Sequence, residues 1–290
     1  MPDQPMTTIQ LVETYYSRAK QLSAPWHNQI KKRRKLYNMD HYDKRARQGE
    51  ERFEDPTYTN MVDLAVGIIL ANDLVFRVYG WSPSAQEQKD TEKVEKLLAG
   101  LVQTNSEREE YYLPYEVLLD FVRDGMAVIY TVWDDEIASR AHIRAKVPSD
   151  NPDDPALKTV DGYQEPPVRL QAIDPLKIFL IPGGPNRWLY AIRVERKTVL
   201  DIELTYGINV RRYANESRQS KELIEGDLID LWRVADQPEV DENNITTGKD
   251  IRVVEHAIAF EGEVIQELSV AEGYDDLPFT VGFFKPVDRE

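Results

Sequence analysis

Three adjacent carboxylates, Asp134-Asp135-Glu136, follow an apolar run and are the nearest thing to an acid cluster in the 290-residue chain. Hard oxygen donors so placed could hold a divalent cation, and a hydrolase built on them would lose metal-dependent activity on Asp134→Ala. Three carboxylates at a strand end also make an ordinary solvated turn. The four histidines, His27, His41, His142 and His256, stand far apart without metal-ligand spacing and read as surface or packing residues. Gly183-Gly184 lies between prolines rather than at a helix start, so it does not read as a phosphate cradle. No P-loop, dinucleotide fingerprint or nucleophile elbow is present, and these residues point to no catalysis, no cofactor and no metal. What remains is binding chemistry. Lys31-Lys32-Arg33-Arg34-Lys35 puts five cations in succession, suited to an acidic partner or to DNA phosphate, or to a solvated helix whose aliphatic stems lie along its surface.

The rest of the chain bounds what such a patch can serve. There are 36 Lys/Arg against 51 Asp/Glu, a net charge of −15, with 41% hydrophobic residues, enough for a core in one to two domains. The charge is uneven. Residues 1–52 hold 11 basic against 6 acidic side chains, whereas residues 221–290 hold 18 acidic against 6 basic. An acidic body repels phosphate, so general nucleic-acid binding over most of the surface is excluded. With no cysteine there are no disulfides, thiolate metal sites or cysteine nucleophiles, which suits a reducing cytoplasm. The longest apolar run, Leu64–Ala71, falls short of the roughly 20 residues a spanning helix needs, and no targeting segment is legible.

The elements that position these residues follow from periodicity. Thr7 or Thr8 caps a helix carrying Ile9, Val12, Tyr15, Tyr16 and Ala19, which Pro25 is expected to close before a second helix starts near Trp26. Pro56 and Thr57 open an apolar helix whose Met61, Leu64, Ala65, Ile68 and Ile69 share helical spacing. A strand from Leu74 to Tyr79 comes next. Glu87 to Gln103 is a third helix with a core stripe of Val94, Leu97, Leu98, Leu101 and Val102. Glu107 to Arg123 is a fourth, in which Pro114 either kinks the helix or marks its first turn. Asp124-Gly125 stops it before the strand Ala127–Trp133.

Residues 148–167, with five prolines, read as an exposed loop or hairpin tip. Strands follow at Val168–Ile173, Lys177–Ile181 and Trp188–Val194, then a short helix after Thr198 that ends at Gly207. From Asp227 the pattern is LIDLWRV, IRVVEHAIAF, EVIQELSV and LPFTVGFF, the middle two joined by a tight Glu261-Gly262 turn. Asp236 to Asp250 reads as polar and mobile. The fold class is α+β, a helical N-terminal half packed on a mixed or antiparallel sheet, followed by a short helix and a β-rich segment.

Five stretches carry a family resemblance: Trp26–Tyr37, Tyr58-Thr59-Asn60, LLDFVRDGMAVIYTVWDD at Leu118–Asp135, Ile173-Asp174-Pro175, and DLPFTVGFF at Asp275–Phe284. In that order they resemble the portal proteins of tailed bacteriophages, the ring at one capsid vertex through which DNA enters and leaves. The resemblance implies a wing-like body over residues 1–194, a stem-like helical connection over 195–226 and a clip-like segment over 227–290. It implies a homo-oligomeric ring, a dodecamer, assembled in the host cytoplasm and carried in the virion. Major capsid or scaffolding protein, terminase, head-to-tail adaptors and transient double-stranded DNA are the implied partners, with no membrane. Asp227, Asp230, Trp232, Glu255, Glu261 and Glu263 would lie on the clip-like partner surface. The family pattern continues into a returning stem helix, a channel loop and a crown, which the resemblance does not reach by Glu290. The competing expectation is a stand-alone α+β interaction module without catalytic activity.

Overall fold

The computed structural model describes residues 6–40, 55–72, 85–108, 112–134, 138–139, 142–148, 157–163, 167–184, 187–240 and 246–283. The chain is α+β and divides into two compact units. One comprises residues 1–32 and 174–278, the other residues 33–173 and 279–290. The divisions read from the sequence at 194/195 and 226/227 do not coincide with these. The first falls inside a single strand, and the second falls in a ladder that pairs Lys197 with Gly226 and Arg196 with Asp227.

The first unit is built on a five-stranded antiparallel meander. Its strands are β5 (Ile178–Gly184), β6 (Arg187–Thr198), β7 (Glu225–Val240), β8 (Thr246–Phe260) and β9 (Glu263–Val270), hydrogen-bonded in that order. Successive residues point to opposite faces, so each face has its own core. On one face Phe179, Ile181, Ile192, Leu231, Ala257 and Ala259 meet Val12 and Ala19 of α1 (Thr8–Tyr37). On the other, Leu228, Ile258 and Phe260 meet Val199 and Ile202 of α5 (Val199–Tyr206) together with Val210. Thr198 caps α5 in a reciprocal box with Asp201, and Gly207 ends it at φ 63°. Glu261 and Gly262, both at positive φ, form the expected tight turn between β8 and β9.

Two expectations change in this unit. Pro25 does not close a helix, because α1 runs unbroken from Thr8 to Tyr37 with the proline inside it. Val12, Ala19, Ser23, His27 and Ile30 are buried on both sides of the exposed proline, and that packing outweighs the roughly 3 kcal/mol an interior proline costs. Residues 236–250 are not a mobile polar link at their ends. β7 and β8 continue through Asp236↔Arg252, Gln237↔Ile251 and Pro238↔Asp250 to Val240↔Thr246, so backbone pairing extends the ribbon where apolar alternation has stopped.

The second unit centres on a three-stranded antiparallel sheet in the order β10 (Phe279–Phe283), β1 (Met126–Trp133) and β4 (Val168–Ile173). α4 (Leu113–Asp124), with Pro114 in its first turn, packs against β1 and against α2 (Thr57–Leu70). Gly125 ends α4 at φ 76° and hands the chain directly to β1. α3 (Ala85–Arg108) reaches β4 and α4, and β2 (His142–Pro148) pairs with β3 (Leu157–Tyr163) as a separate hairpin. The expected Glu107–Arg123 helix is therefore two: Glu107 lies in the last turn of α3, which ends at Arg108, and α4 opens at Leu113. The expected strand from Leu74 to Tyr79 lies outside the described residues.

The core stripe expected of α3 is also corrected, and α2 buries residues other than those its apolar spacing picks out. Val62 and Val66, one turn apart, are the buried residues of α2, whereas Met61, Leu64, Ile68 and Ile69 are 64, 64, 59 and 41% exposed. A helix that is apolar almost all round does not reveal by period which side is packed. In α3, Val94 and Leu97 are exposed and only Leu98, Leu101 and Val102 are half-buried. Near its C-terminus Asn105 and Ser106 hydrogen-bond to Val168, Leu170 and Leu113 of the same unit.

Candidate functional site

A dense polar junction in the second unit forms where α4 ends. Asp124 is 1% exposed, and its carboxylate accepts from Arg34 Nε at 2.9 Å and Nη2 at 2.6 Å, and from Arg123 Nε and Nη2 at 2.9 Å each. Arg123 also donates to Asp120 Oδ1 at 2.6 Å. Burial works against the charge of Arg123, but the hydrogen bond and charge of Asp124 outweigh it and hold the guanidinium more firmly protonated. Arg33 Nη1 donates to the carbonyl of Asp124. Tyr58 Oη donates to the carbonyl of Arg123 at 2.9 Å, and Thr59 Oγ1 donates to the carbonyl of Tyr37 at 2.5 Å. Tyr37 in turn donates to Asp63 at 2.7 Å, and burial followed by that aspartate pushes its phenol up to about 12. Carbonyls left open at a helix C-terminus are thus filled by side chains from α1 and α2.

The five-cation run is divided by this junction. Arg33 and Arg34 are half-buried and committed to Asp124, whereas Lys31, Lys32 and Lys35 are exposed. The surface available to an acidic partner or DNA is therefore three lysines. Asp134 is half-buried with its N–H on the Pro167 carbonyl, while Asp135 and Glu136 lie outside the described residues. Among the described residues no group of three or more His, Asp or Glu side chains is arranged to hold a metal ion.

The acidic set read over Asp227–Glu263 separates into an inside and an outside. Asp230, Trp232 and Glu255 are 4, 4 and 7% exposed. Asp230 meets Arg193 at 3.2 Å and His256 Nε2 at 2.7 Å; His256 stacks on Trp232 with ring centroids 4.0 Å apart. Gln266 Nε2 lies 3.3 Å from His256 Nδ1, so both ring nitrogens of His256 face a polar partner. Glu255 binds Arg233 and accepts from Gln237 at 2.7 Å. Only Asp227, Glu261 and Glu263 of the set reach solvent. Burial could not be read from the residue types, because a strand alternating Asp230 and Trp232 with apolar neighbours looks solvated when its covering helix is unknown.

Buried uncharged polar groups mark a third feature. Leu180 N–H donates to Ser23 Oγ at 3.2 Å, and His27 Nε2 lies 3.1 Å from the Ile178 carbonyl, so α1 caps the free edge of β5. Asn105 of α3 does the same for β4, donating to the Val168 carbonyl at 3.2 Å and accepting from Leu170 N–H at 2.8 Å. Ser23, His27 and Asn105 are 0, 9 and 0% exposed. Sequence spacing gave no signal for any of them.

Compared with known proteins, the chain matches no family model and no curated protein. Among the described residues no helix is long and apolar enough to cross a membrane.

Proposed function

We propose that this chain is a subunit of a tailed-phage-type portal, a ring through which double-stranded DNA is packaged and released. The observation that supports this reading is the convergence of the stretches that carry the resemblance. Arg34 and Tyr37, Tyr58 and Thr59, and Asp120 to Asp124 meet at one junction. In the adjoining sheet, Val128 of β1 pairs on one side with Ile173 and on the other with Val281. Residues up to about 250 positions apart in sequence thus serve one piece of architecture, which supports reading the stretches as one pattern.

In this reading function is geometry and electrostatics. Head-to-tail association needs two different faces on each subunit. The exposed Met61, Leu64 and Ile68 of α2 supply an apolar one. The acidic surface suits a passage that must not grip DNA. Terminase during packaging, adaptors afterwards, and capsid or scaffolding protein at the rim are the proposed partners, in a dodecameric ring carried in the virion. β7 to β9 belong to the same sheet as β5 and β6, so a separate stem over 195–226 and clip over 227–290 are not carried forward.

The test is native mass spectrometry with negative-stain imaging at micromolar concentration. A closed ring of many copies around an open centre is expected. A monomer or dimer at every concentration would overturn the reading in favour of a stand-alone interaction module.

A further inference from the structure

The five-stranded sheet has two edges, and the fold treats them differently. β5 has its outward Leu180 N–H and Ile178 carbonyl covered by Ser23 and His27, at the expense of burying two polar side chains. β4 of the other sheet is covered likewise by Asn105. An uncovered edge is a row of unpaired donors and acceptors that templates another strand, and natural folds ordinarily blunt it. Among the described residues β9, at the opposite end of the five-stranded sheet, pairs with β8 alone. Among the described residues no side chain caps its outer backbone.

Beside that edge lies a groove of about 580 Å³. Ile9, Ile208, Val264 and Ile265 give it apolar walls, and Glu263 and Glu267 stand along it opposite a single cation, Arg211. Both carboxylates are held in place by the fold: Glu263 accepts from the N–H groups of Arg211 and Arg212 at 3.0 and 2.8 Å, and Glu267 accepts from Thr8 Oγ1. Register shifts on the inner side, between His256 and Ile258 and between Ile258 and Ala259, break the regular run of β9. A strand added outside it therefore pairs over a few residues only.

We infer that the open edge of β9 and this groove receive an extended segment of a partner protein in which basic and apolar side chains alternate. Its backbone adds a sixth strand to the sheet, its apolar side chains enter the groove and its cations meet Glu263 and Glu267. Edge addition supplies affinity through main-chain hydrogen bonds and selectivity through alternate side chains. The charge of the segment follows from complementarity to those two acids and to a 221–290 region with 18 acidic against 6 basic residues. This inference is independent of whether the chain forms a ring.

The experiment uses the full chain and fluorescein-labelled ten-residue peptides of alternating valine and lysine, of alternating valine and glutamate, and of the lysine sequence with every second amide N-methylated. Anisotropy is expected to show saturable binding of the lysine peptide only. Amide exchange should slow within Glu263–Val270, and Glu267→Lys should weaken the lysine peptide about tenfold while the fold is retained. Equal binding of the N-methylated peptide would remove the strand-addition geometry. No binding, or protection elsewhere on the chain, would overturn the site altogether. Protection of β9 that grows with protein concentration in the absence of peptide would replace the foreign partner by a second copy.

Discussion

Two buried aspartates, one in each unit, are held in opposite ways. Asp124 takes one ligand, Arg34, from α1 some 90 residues away and the other, Arg123, from its own helix α4, and the α2 residue Tyr58 lands on the neighbouring carbonyl. Asp230 takes its ligands from the ladder it belongs to: Arg193 is its register partner on β6, and His256 projects from the adjacent β8. Coulomb attraction holds the first set together. The second is delivered by backbone pairing that persists without the charge. A buried acid therefore acts as a joint in one unit and as a plug for polar groups in the other.

Removing each carboxylate tests that contrast. Asp124→Ala leaves two guanidiniums facing a buried void, and breaking a buried pair of this kind costs about 3–5 kcal/mol. We expect urea unfolding to show a loss of that order, with amide protection falling at α4, β1 and the end of α1 together. Asp230→Ala leaves Arg193 and His256 short of an acceptor in an intact ladder, at a smaller cost of about 1–3 kcal/mol, with protection of β6, β7 and β8 retained. Equal costs, or loss of the β6–β8 ladder in the second variant, would break the comparison.

The same contrast explains what was legible in the sequence. Elements stated by local rules were readable: the Thr198 to Gly207 helix from its cap and its terminal glycine, the α4 to β1 passage from Asp124-Gly125, and the β8–β9 turn from Glu261-Gly262. Pro25 misleads because its penalty is local while the burial of Ser23, His27 and Ile30 that overrides it is tertiary. The Lys31–Lys35 run shows the limit at the candidate site. Five cations look equivalent in sequence, and only the position of Asp124 some 90 residues on separates the two half-buried arginines from the three exposed lysines. The covered sheet edges were illegible for a simpler reason. A serine, a histidine and an asparagine have no pattern that announces which backbone group they will meet.

Acid offers the finest test of the difference between the units. Burial lowers the pKa of His27 below its ordinary 6.5 and Lys31 lowers it further, against the opposing carbonyls of Ile178 and Pro175 and the charge of Asp174. A depressed folded pKa means that the unfolded chain binds the extra proton first. Stability supplied by neutral His27 is therefore complete above about pH 6.5 and is lost as the pH falls from there through the lower folded value. The effect should be smaller than either aspartate substitution. It should appear first in the amides of β5 and the α1 turn that covers it, while protection around Asp124 holds. His27→Gln, which can still donate to the Ile178 carbonyl but cannot titrate, should flatten the pH dependence of β5 exchange between pH 7 and the acid limit of the fold. An unchanged slope in that variant would assign the acid response to groups outside the β5 edge and leave the two units alike in this respect.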